Sequence, residues 1–494
     1  MSRFLAVLLS AALLAGCASL SGTGLPAATG TEVAACAAWF EQLDAAVDQH
    51  HVRDVEADRI AGFAGLRIDR ISASLRDRAA ADANAFGAWL ARLQELDAEG
   101  RAVEIGNLPD SAFPLDGSAD AAAARTRAST CSAAWRPALE RNAALRSMLI
   151  ARAEVPDRYA SWQRAIGLYP LVRWPFFSGV QRWENEHRAQ IERWAAAPPL
   201  TQRYVPLRER AALDTARWWR DRPRDALGIP RFTADESTAL LAAHAPAFEI
   251  ETHTAADRFG APVWREGRAS GVDTQTPVVY QRIAAMRYRG RVLLQLVYGL
   301  WFPERPAERG FDLLSGALDE VLVRITLAPD DGRPLMVDTI HGCGCYQVFA
   351  PSAELRLRND APRDVEWAYA PITLPPLKSA ERIVVRIAAG THYVVGIARD
   401  DGTAGTPYAL RDDGALRRLP LPQGGTRSLF GADGLVAGSQ RGERLFYWPM
   451  GIASAGAMRQ WGHHATAFVG RRHFDDADLI ERRFEIPALD SAPP

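Results

Sequence analysis

The amino-acid sequence predicts an α+β protein, with an N-terminal helical domain followed by a mainly antiparallel β C-terminal half. Apolar residues recur at helical spacing from about residue 35 to residue 245. After about residue 246 they instead form short paired runs separated by turn residues. A hydrophobic fraction of 48%, with 14 tryptophans among 494 residues, is typical of a chain that packs into folded cores.

The helical half is predicted from apolar side chains that return every three or four residues and so share one face of a helix. This pattern is present in residues 39–47, 86–93, 135–149, 175–196 and 206–221. Aromatic residues in such stripes belong to a core far more often than to a ligand platform. We therefore interpret residues 35–245 as a helical domain.

The β half is predicted from apolar runs that flank glycine-containing turns, which are a strong short-range hairpin signal. The expected hairpins pair residues 278–288 with 291–302, 321–327 with 334–340, 383–387 with 393–398, and 408–410 with 416–419. These runs predict a mainly β domain over residues 246–494, which a break near residues 350–380 could divide into two subdomains.

The charge and the missing motifs count against several classes of function. The formal net charge is −1, which provides no electrostatic footprint for nucleic acid. The sequence also lacks the His-Glu-x-x-His zinc motif, the Gly-x-Ser-x-Gly nucleophile elbow and the Gly-x-Gly-x-x-Gly nucleotide turn. No nucleic-acid partner is expected, and a protein or small-molecule partner is left open.

The first 16 residues have the three parts of a cleaved export signal. Arg3 precedes an apolar run over residues 5–14, and small residues follow it. The run is too short to span a bilayer, which takes roughly 20 helical residues. The quartet Leu14-Ala15-Gly16-Cys17 that ends this segment resembles the lipobox of bacterial lipoproteins. An ordinary cleaved signal with an incidental cysteine is the alternative.

The resemblance implies that cleavage leaves Cys17 as the first mature residue, carrying a diacylglycerol thioether and an acylated amino group, typically palmitate. Multiple acyl chains form a stable membrane anchor, because each buried methylene contributes about 0.8 kcal/mol. Ala18 in place of aspartate resembles the sorting pattern for the outer membrane. Residues 17–34 would then be a lipidated tether that holds the body beside the membrane, in the cell envelope.

Lipidation of Cys17 leaves four of the five cysteines in an oxidising compartment, where disulfides persist. Among the three ways of pairing them, we favour Cys36 with Cys131 and Cys343 with Cys345. The first bridge would join two N-terminal helices.

The densest cluster of reactive residue types is His341-Gly342-Cys343-Gly344-Cys345, which follows a predicted strand. One interpretation is a strained local disulfide between the two cysteines. A second is a zinc or copper site on His341, Cys343 and Cys345, completed by water or by another histidine. A third is a reactive thiol with His341 as its base, and a fourth is a pair of inert buried thiols. The candidates for the completing histidine are His392, His463, His464 and His473.

Two further stretches draw attention. Residues 458–476 combine His463, His464 and His473 with arginines and aspartates, and predict either an anion or metal site or a polar surface turn. Residues 298–306 place aromatic residues beside a charge pair, and are interpreted as the end of a buried strand rather than as a stacking surface for a ligand.

Two functions remain open from the sequence. The favoured one is a membrane-anchored envelope lipoprotein with a binding or structural role, because no strong catalytic signature is present. The alternative is a metal- or thiol-dependent envelope enzyme centred on His341, Cys343 and Cys345. No catalytic residue is assigned.

Overall fold

A computed structural model describes residues 30–207, 215–266, 270–308, 310, 312–360, 362, 365–378 and 381–490. The predicted signal peptide, Cys17 and the predicted tether up to residue 29 lie outside the described residues. The first described helix begins at Thr31, four residues before the predicted domain boundary, and Val33 is already buried in the core.

The N-terminal half consists mainly of helices, as predicted. The helices are α1 (Thr31–Gln49), α2 (Arg70–Ser74), α3 (Arg76–Ala81), α4 (Ala83–Asn107), α5 (Ala121–Ala133), α6 (Trp135–Arg141), α7 (Ala143–Arg152), α8 (Ser161–Ile166), α9 (Tyr169–Ala196), α10 (Thr215–Arg220) and α11 (Ala234–His244). A short ladder pairs Asp58–Arg59 with Arg67–Ile68, and a 3-10 turn covers Asp110–Ala112. Polar side chains set several of the starts: Asp82, Asp120 and Asn142 each accept a backbone N–H three residues on.

The predicted aromatic stripes form the core of this half. Trp39, Phe40, Trp89 and Trp135 are all at most 7% exposed, as are the aliphatic residues that alternate with them. Beneath these layers, Arg67 donates from Nη2 to Glu104 Oε2 at 2.8 Å and from Nε to Asp97 Oδ1 at 3.2 Å. This buried network attaches the segment that precedes α2 to the helix α4.

The C-terminal half is built on a ten-stranded sheet of mixed direction. Its strands are β1 (Thr201–Pro206), β2 (Ala247–Glu251), β3 (Val278–Tyr288), β4 (Arg291–Arg305), β5 (Gly316–Leu327), β6 (Pro334–His341), β7 (Val348–Pro351), β8 (Ile383–Ile387), β9 (Val394–Arg399) and β10 (Thr406–Asp412). Their spatial order is β7-β6-β5-β4-β3-β10-β1-β2-β8-β9. The large core cluster of the protein packs on this sheet.

Three predicted hairpins are confirmed, and the fourth is wrong. The pairs β3–β4, β5–β6 and β8–β9 are antiparallel neighbours. The strand expected at residues 408–410 does form, as part of β10, but it runs parallel to β1 and β3. The chain then enters a 3-10 helix over Asp413–Arg418, because the Asp412 carboxylate accepts the Gly414 N–H and closes a tight turn.

One strand crosses the predicted domain division. β1 lies within residues 35–245, yet it pairs with β2 and β10 of the sheet. Pro198 and Pro199 cannot continue α9, so the chain leaves the helix in an extended conformation. The predicted helix over 206–221 is correspondingly reduced to α10, with residues 208–214 outside the described part.

The rest of the C-terminal half is short elements and turns around the sheet. Small ladders pair Ala261–Trp264 with Ser270–Asp273, Arg356–Leu357 with Phe484–Glu485, and Leu419–Pro420 with Thr426–Arg427. The remaining helices are α12 (Arg444–Tyr447), α13 (Leu479–Arg483) and α14 (Pro487–Asp490), with 3-10 turns at Ala255–Asp257 and Trp448–Met450. Within the described ranges, no helix combines the length and apolarity needed to cross a membrane.

Candidate functional site

A buried carboxylate, Asp319 on β5, organises the most densely charged part of the sheet. His341 at the end of β6 lies on the same face, and its Nδ1 is 3.3 Å from Asp319 Oδ1. His392, in the turn between β8 and β9, places Nδ1 2.8 Å from Asp319 Oδ2. Arg441 donates from Nη2 to Asp319 Oδ1 at 2.9 Å. The four side chains form one buried hub, which we call the Asp319 cluster.

The electrostatics of the Asp319 cluster favour an ionised carboxylate. Burial works to raise the pKa of Asp319, but the neighbouring His341 and Arg441, with hydrogen bonds from both histidines, hold that pKa well below its usual range. Burial lowers the pKa of His341, against the opposing effect of Asp319. The ring of His392 stacks on Phe302 at 4.0 Å, which fixes its orientation.

The two cysteines after His341 are buried and not bridged in the structure. The Cys345 N–H donates to Cys343 Sγ at 3.4 Å, across Gly344, whose φ of +86° allows the tight turn. Burial works to raise the pKa of the Cys343 thiol, but a hydrogen bond with Cys345 and the charge of Arg441 leave it lowered. The hydrogen bond between the two thiol groups, together with burial, raises the pKa of Cys345. The favoured Cys343–Cys345 disulfide is therefore not formed here, whereas the Cys36–Cys131 bridge is.

The structure does not assemble the predicted metal ligands. His463 Nε2 is 2.8 Å from the Val55 carbonyl, and His473 lies beside Asp157 and Asp476. Of the four completing histidines, His392 joins His341, but it does so through Asp319. Among the residues that the structure describes, no group of three or more His, Cys, Asp or Glu side chains is arranged to hold a metal ion.

Next to the Asp319 cluster is a large open cleft of about 990 Å³ between α9 and the loops at the edge of the sheet. Nine aromatic residues line it, from six separate parts of the chain. They are Phe176, Trp183, Tyr346, Trp367, Tyr369, Tyr393, Phe446, Tyr447 and Phe468. Its volume, and a lining that combines aromatic rings with charged side chains, are typical of a small-molecule site.

The floor of the cleft is Arg305, the last residue of β4. Its guanidinium lies 5.3 Å from the ring centre of Tyr346 and 5.0 Å from that of Tyr393. One nitrogen, Nη2, donates to the Tyr393 hydroxyl at 3.0 Å. The other, Nη1, is buried without a hydrogen-bond partner among the described residues. A buried cation with an unused donor is a ready partner for an anionic group.

Trp183 and His187 on α9 form the opposite wall. Their rings stack with centres 5.2 Å apart and nearly parallel planes. His187 is held from behind, because its Nε2 is 3.0 Å from the Val394 carbonyl. Burial lowers the pKa of His187 to about 4, so the ring is neutral at neutral pH. Trp183 also contacts Tyr346, Tyr369 and Tyr393 and thus joins both walls.

Glu366, at the far side of the cleft, gives a testable pH dependence. Its Oε1 accepts the N–H groups of Phe468 and Val469 at 2.6 and 2.8 Å, yet burial raises its pKa to about 7. Because this folded-state pKa exceeds the ordinary value, the folded protein holds the proton more tightly, and stability is lost as pH rises from about 4.5 to 7. We expect Glu366 to lower the free energy of unfolding by about 2–3 kcal/mol between pH 5 and pH 7.

Urea denaturation of the wild type and Glu366→Gln at the two pH values measures this contribution. Glutamine keeps an acceptor for the two N–H groups but cannot titrate, so the variant should lose less stability over this range. Glu154→Gln, on a side chain that is 69% exposed, is the control and should follow the wild type. Parallel behaviour of Glu366→Gln and the wild type would contradict the prediction.

Sequence reasoning selected His341, Cys343 and Cys345 but missed Asp319, Arg305 and the walls of the cleft. A signal for Asp319 was present: it stands with Glu320 and Arg324 inside a mainly apolar, buried strand. A charged residue in a buried strand requires a partner. For Arg305, the interpretation of residues 298–306 as a strand end is correct, since Tyr298 and Trp301 are fully buried. Arg305, at the end of this strand, lines the cleft.

No protein-family model, curated protein or solved structure matches this chain, so its assignment rests on the geometry above.

Proposed function

We propose that this protein is an envelope lipoprotein, anchored to the outer membrane through a lipid on Cys17. We also propose that its body binds an anionic amphiphile in the cleft. One observation carries the binding role. The cleft has aromatic walls, and the buried Arg305 at its floor has an unpaired donor nitrogen. The lipobox-like quartet at Cys17 supports the anchor.

The chemistry of the cleft favours a ligand with an acidic group and a flat or chain-like apolar body. The acidic group would pair with Arg305 Nη1, where the surrounding rings exclude water and strengthen the charge interaction. The apolar body would lie against Trp183 and Tyr369, which line the cleft with ring centres 5.5 Å apart in an edge-to-face arrangement. Aromatic faces contribute large contact areas at low entropic cost.

A thiol-dependent enzyme is the second candidate, and one observation favours it. Cys345 borders the cleft, and the neighbouring Cys343 thiol has a lowered pKa. We rank this function second because both sulfurs are buried and the Asp319 carboxylate holds the Nδ1 side of His341. His341 Nε2, which has no hydrogen-bond partner among the described residues, would be the base in such an enzyme.

Two fluorescent probes that differ in one charged group test the proposed ligand chemistry. The wild type should bind anilinonaphthalene sulfonate, which carries an anion, and also the uncharged N-phenyl-1-naphthylamine. We expect Arg305→Gln to weaken sulfonate binding at least about tenfold, the loss of one charge-assisted hydrogen bond, and to leave the uncharged probe within about twofold. Trp183→Ala should weaken both probes, and the fluorescence titration gives each dissociation constant.

Two controls accompany this titration. Arg217→Gln removes a largely exposed arginine that does not line the cleft and should bind as the wild type does. The double variant Cys343→Ser/Cys345→Ser should also retain binding, because the proposed role does not use the thiols. Absence of binding by the wild type, or an equal loss of both probes in Arg305→Gln, would overturn the proposal.

A further inference from the structure

Eight large apolar side chains are exposed on one side of the protein, in residues 162–174 and 445–448. Seven of the eight are more than half exposed, which is unusual for a contiguous set on a soluble surface. We call this surface the apolar rim. It consists of Trp162, Ile166, Leu168, Leu171, Trp174, Leu445, Phe446 and Trp448.

The two segments form one continuous surface. The α8–α9 turn lies against residues 448–450, where a Cβ at Gly167 would be only 2.6 Å from Pro449 Cβ. Arg164 fastens the same turn by donating from Nε to the Met450 carbonyl at 2.8 Å. Farther along α9, Phe176 packs on Tyr447 with ring centres 5.2 Å apart. Phe446 belongs both to the rim and to the lining of the cleft, so the rim borders the mouth of the cleft.

Charge is distributed unevenly around the rim. Residues 158–183 contain no Asp or Glu, and neither do residues 444–474, although the whole chain is almost neutral. The charged residues in these two stretches are eight arginines, of which Arg182 and Arg444 are exposed. Arg164, Arg459 and Arg472 are buried, and Arg158 and Arg471 pair with Asp58 and Asp157. A surface that combines exposed tryptophan and leucine with cationic residues matches the interface of an anionic bilayer, where tryptophan is enriched and arginine pairs with lipid phosphate.

We propose that the apolar rim docks on the headgroup region of a bilayer that contains anionic phospholipid. The chain from Cys17 to Gly30 has thirteen steps and reaches at most about 45 Å, so the lipid anchor would hold the body within docking distance. Docking turns the mouth of the cleft towards lipid, which makes a membrane amphiphile the natural ligand. This inference rests on the proposed function for the anchor and the cleft, and its test omits both.

The experiment uses the mature chain from residue 17 onward with Cys17→Ser, so that no acyl chain contributes to binding. Flotation compares phosphatidylethanolamine vesicles that contain phosphatidylglycerol with vesicles of phosphatidylcholine alone. We expect partition into the phosphatidylglycerol vesicles, weaker partition into phosphatidylcholine, and a decrease of at least about tenfold for Trp162→Ser/Leu171→Ser/Trp174→Ser. Leu200→Ser/Leu207→Ser is the matched control, because both leucines are highly exposed but lie outside the rim.

Each outcome decides the proposal. Partition of the control like the wild type, with loss in the rim variant, supports docking through the rim. Failure of the wild type to float, an unchanged rim variant, or equal partition into both vesicles overturns it. Sedimentation without vesicles tests whether a second copy of the chain covers the rim instead of lipid. A wild-type dimer that the rim substitutions dissociate, together with no flotation, would assign the surface to that second copy. None of these results depends on whether the cleft binds the probes or Cys17 carries lipid.

Discussion

Replacing Asp319 by asparagine is expected to lower the free energy of unfolding by about 3–5 kcal/mol, the usual cost of removing one partner from a buried ion pair. The change preserves the shape of the side chain but removes its charge. Arg441 would then keep a buried positive charge, and its side chain has no exposed surface through which to recover solvation. Asparagine keeps only one acceptor oxygen, so either His341 or His392 would face an NH2 group in place of a carboxylate oxygen. Urea denaturation followed by tryptophan fluorescence measures the loss.

Two variants separate this effect from a general cost of substitution. Asp221→Asn breaks an exposed pair with Arg217 and should cost less than about 1 kcal/mol. The double variant Asp319→Asn/Arg441→Met removes both charges of the buried pair and should be less destabilised than the sum of its single changes. A cost for Asp319→Asn no larger than that for Asp221→Asn would show that the cluster does not hold the sheet together.

The elements that the sequence predicts well are those whose signal is local. Each of the three confirmed hairpins joins strands that are adjacent in the chain, and the turns at Gly290, Gly332 and Gly390 all have positive φ. In such a hairpin, the alternating side chains of both strands and the turn residues between them lie within about 25 residues of sequence. The same is true of the helices, whose apolar face is visible within two turns.

The parts that could not be predicted depend on contacts between distant segments. β10 pairs with β1, some 200 residues earlier in the chain, and no feature of either strand specifies that partner. For the same reason the apparent boundary near residue 245 is not a boundary of the sheet. Among the candidates for the completing histidine, sequence spacing could not show that His463 turns towards the loop at Val55 or that His392 contacts Asp319.

Charged residues within apolar strands are a signal in the sequence for buried ion pairs. Arg324 and Asp338 stand in the buried strands β5 and β6 and form a direct pair of 2.6 Å, on the sheet face opposite Asp319. Asp319, with a similar setting in the sequence, has its own buried partners. Each such residue indicates that another charged residue must lie nearby in the fold. It does not indicate where that partner stands in the sequence. A search for the partners of Asp319 would have led to the candidate site.

Breaking the Cys36–Cys131 disulfide is the second change for which we expect a large effect. The bridge closes a loop with a sequence separation of 95, for which the chain-entropy model gives about 4–5 kcal/mol and measured losses are about 2–5 kcal/mol. It joins α1 to α5 inside the cluster of Trp39, Phe40 and their neighbours. We therefore expect Cys36→Ser/Cys131→Ser to lower the free energy of unfolding by an amount in this range, measured by urea denaturation.

Reduction of the wild type provides the internal check. Wild type unfolded in dithiothreitol should match Cys36→Ser/Cys131→Ser, and dithiothreitol should not change that variant, because Cys343 and Cys345 are not bridged in the structure. Cys343→Ser/Cys345→Ser should keep the full difference between oxidised and reduced protein. A remaining effect of reduction in Cys36→Ser/Cys131→Ser would instead reveal a second bridge at Cys343 and Cys345. Because α1 is the first helix that the structure describes, its disulfide would transmit a pull from the proposed anchor on Cys17 to the helical core rather than to one helix end.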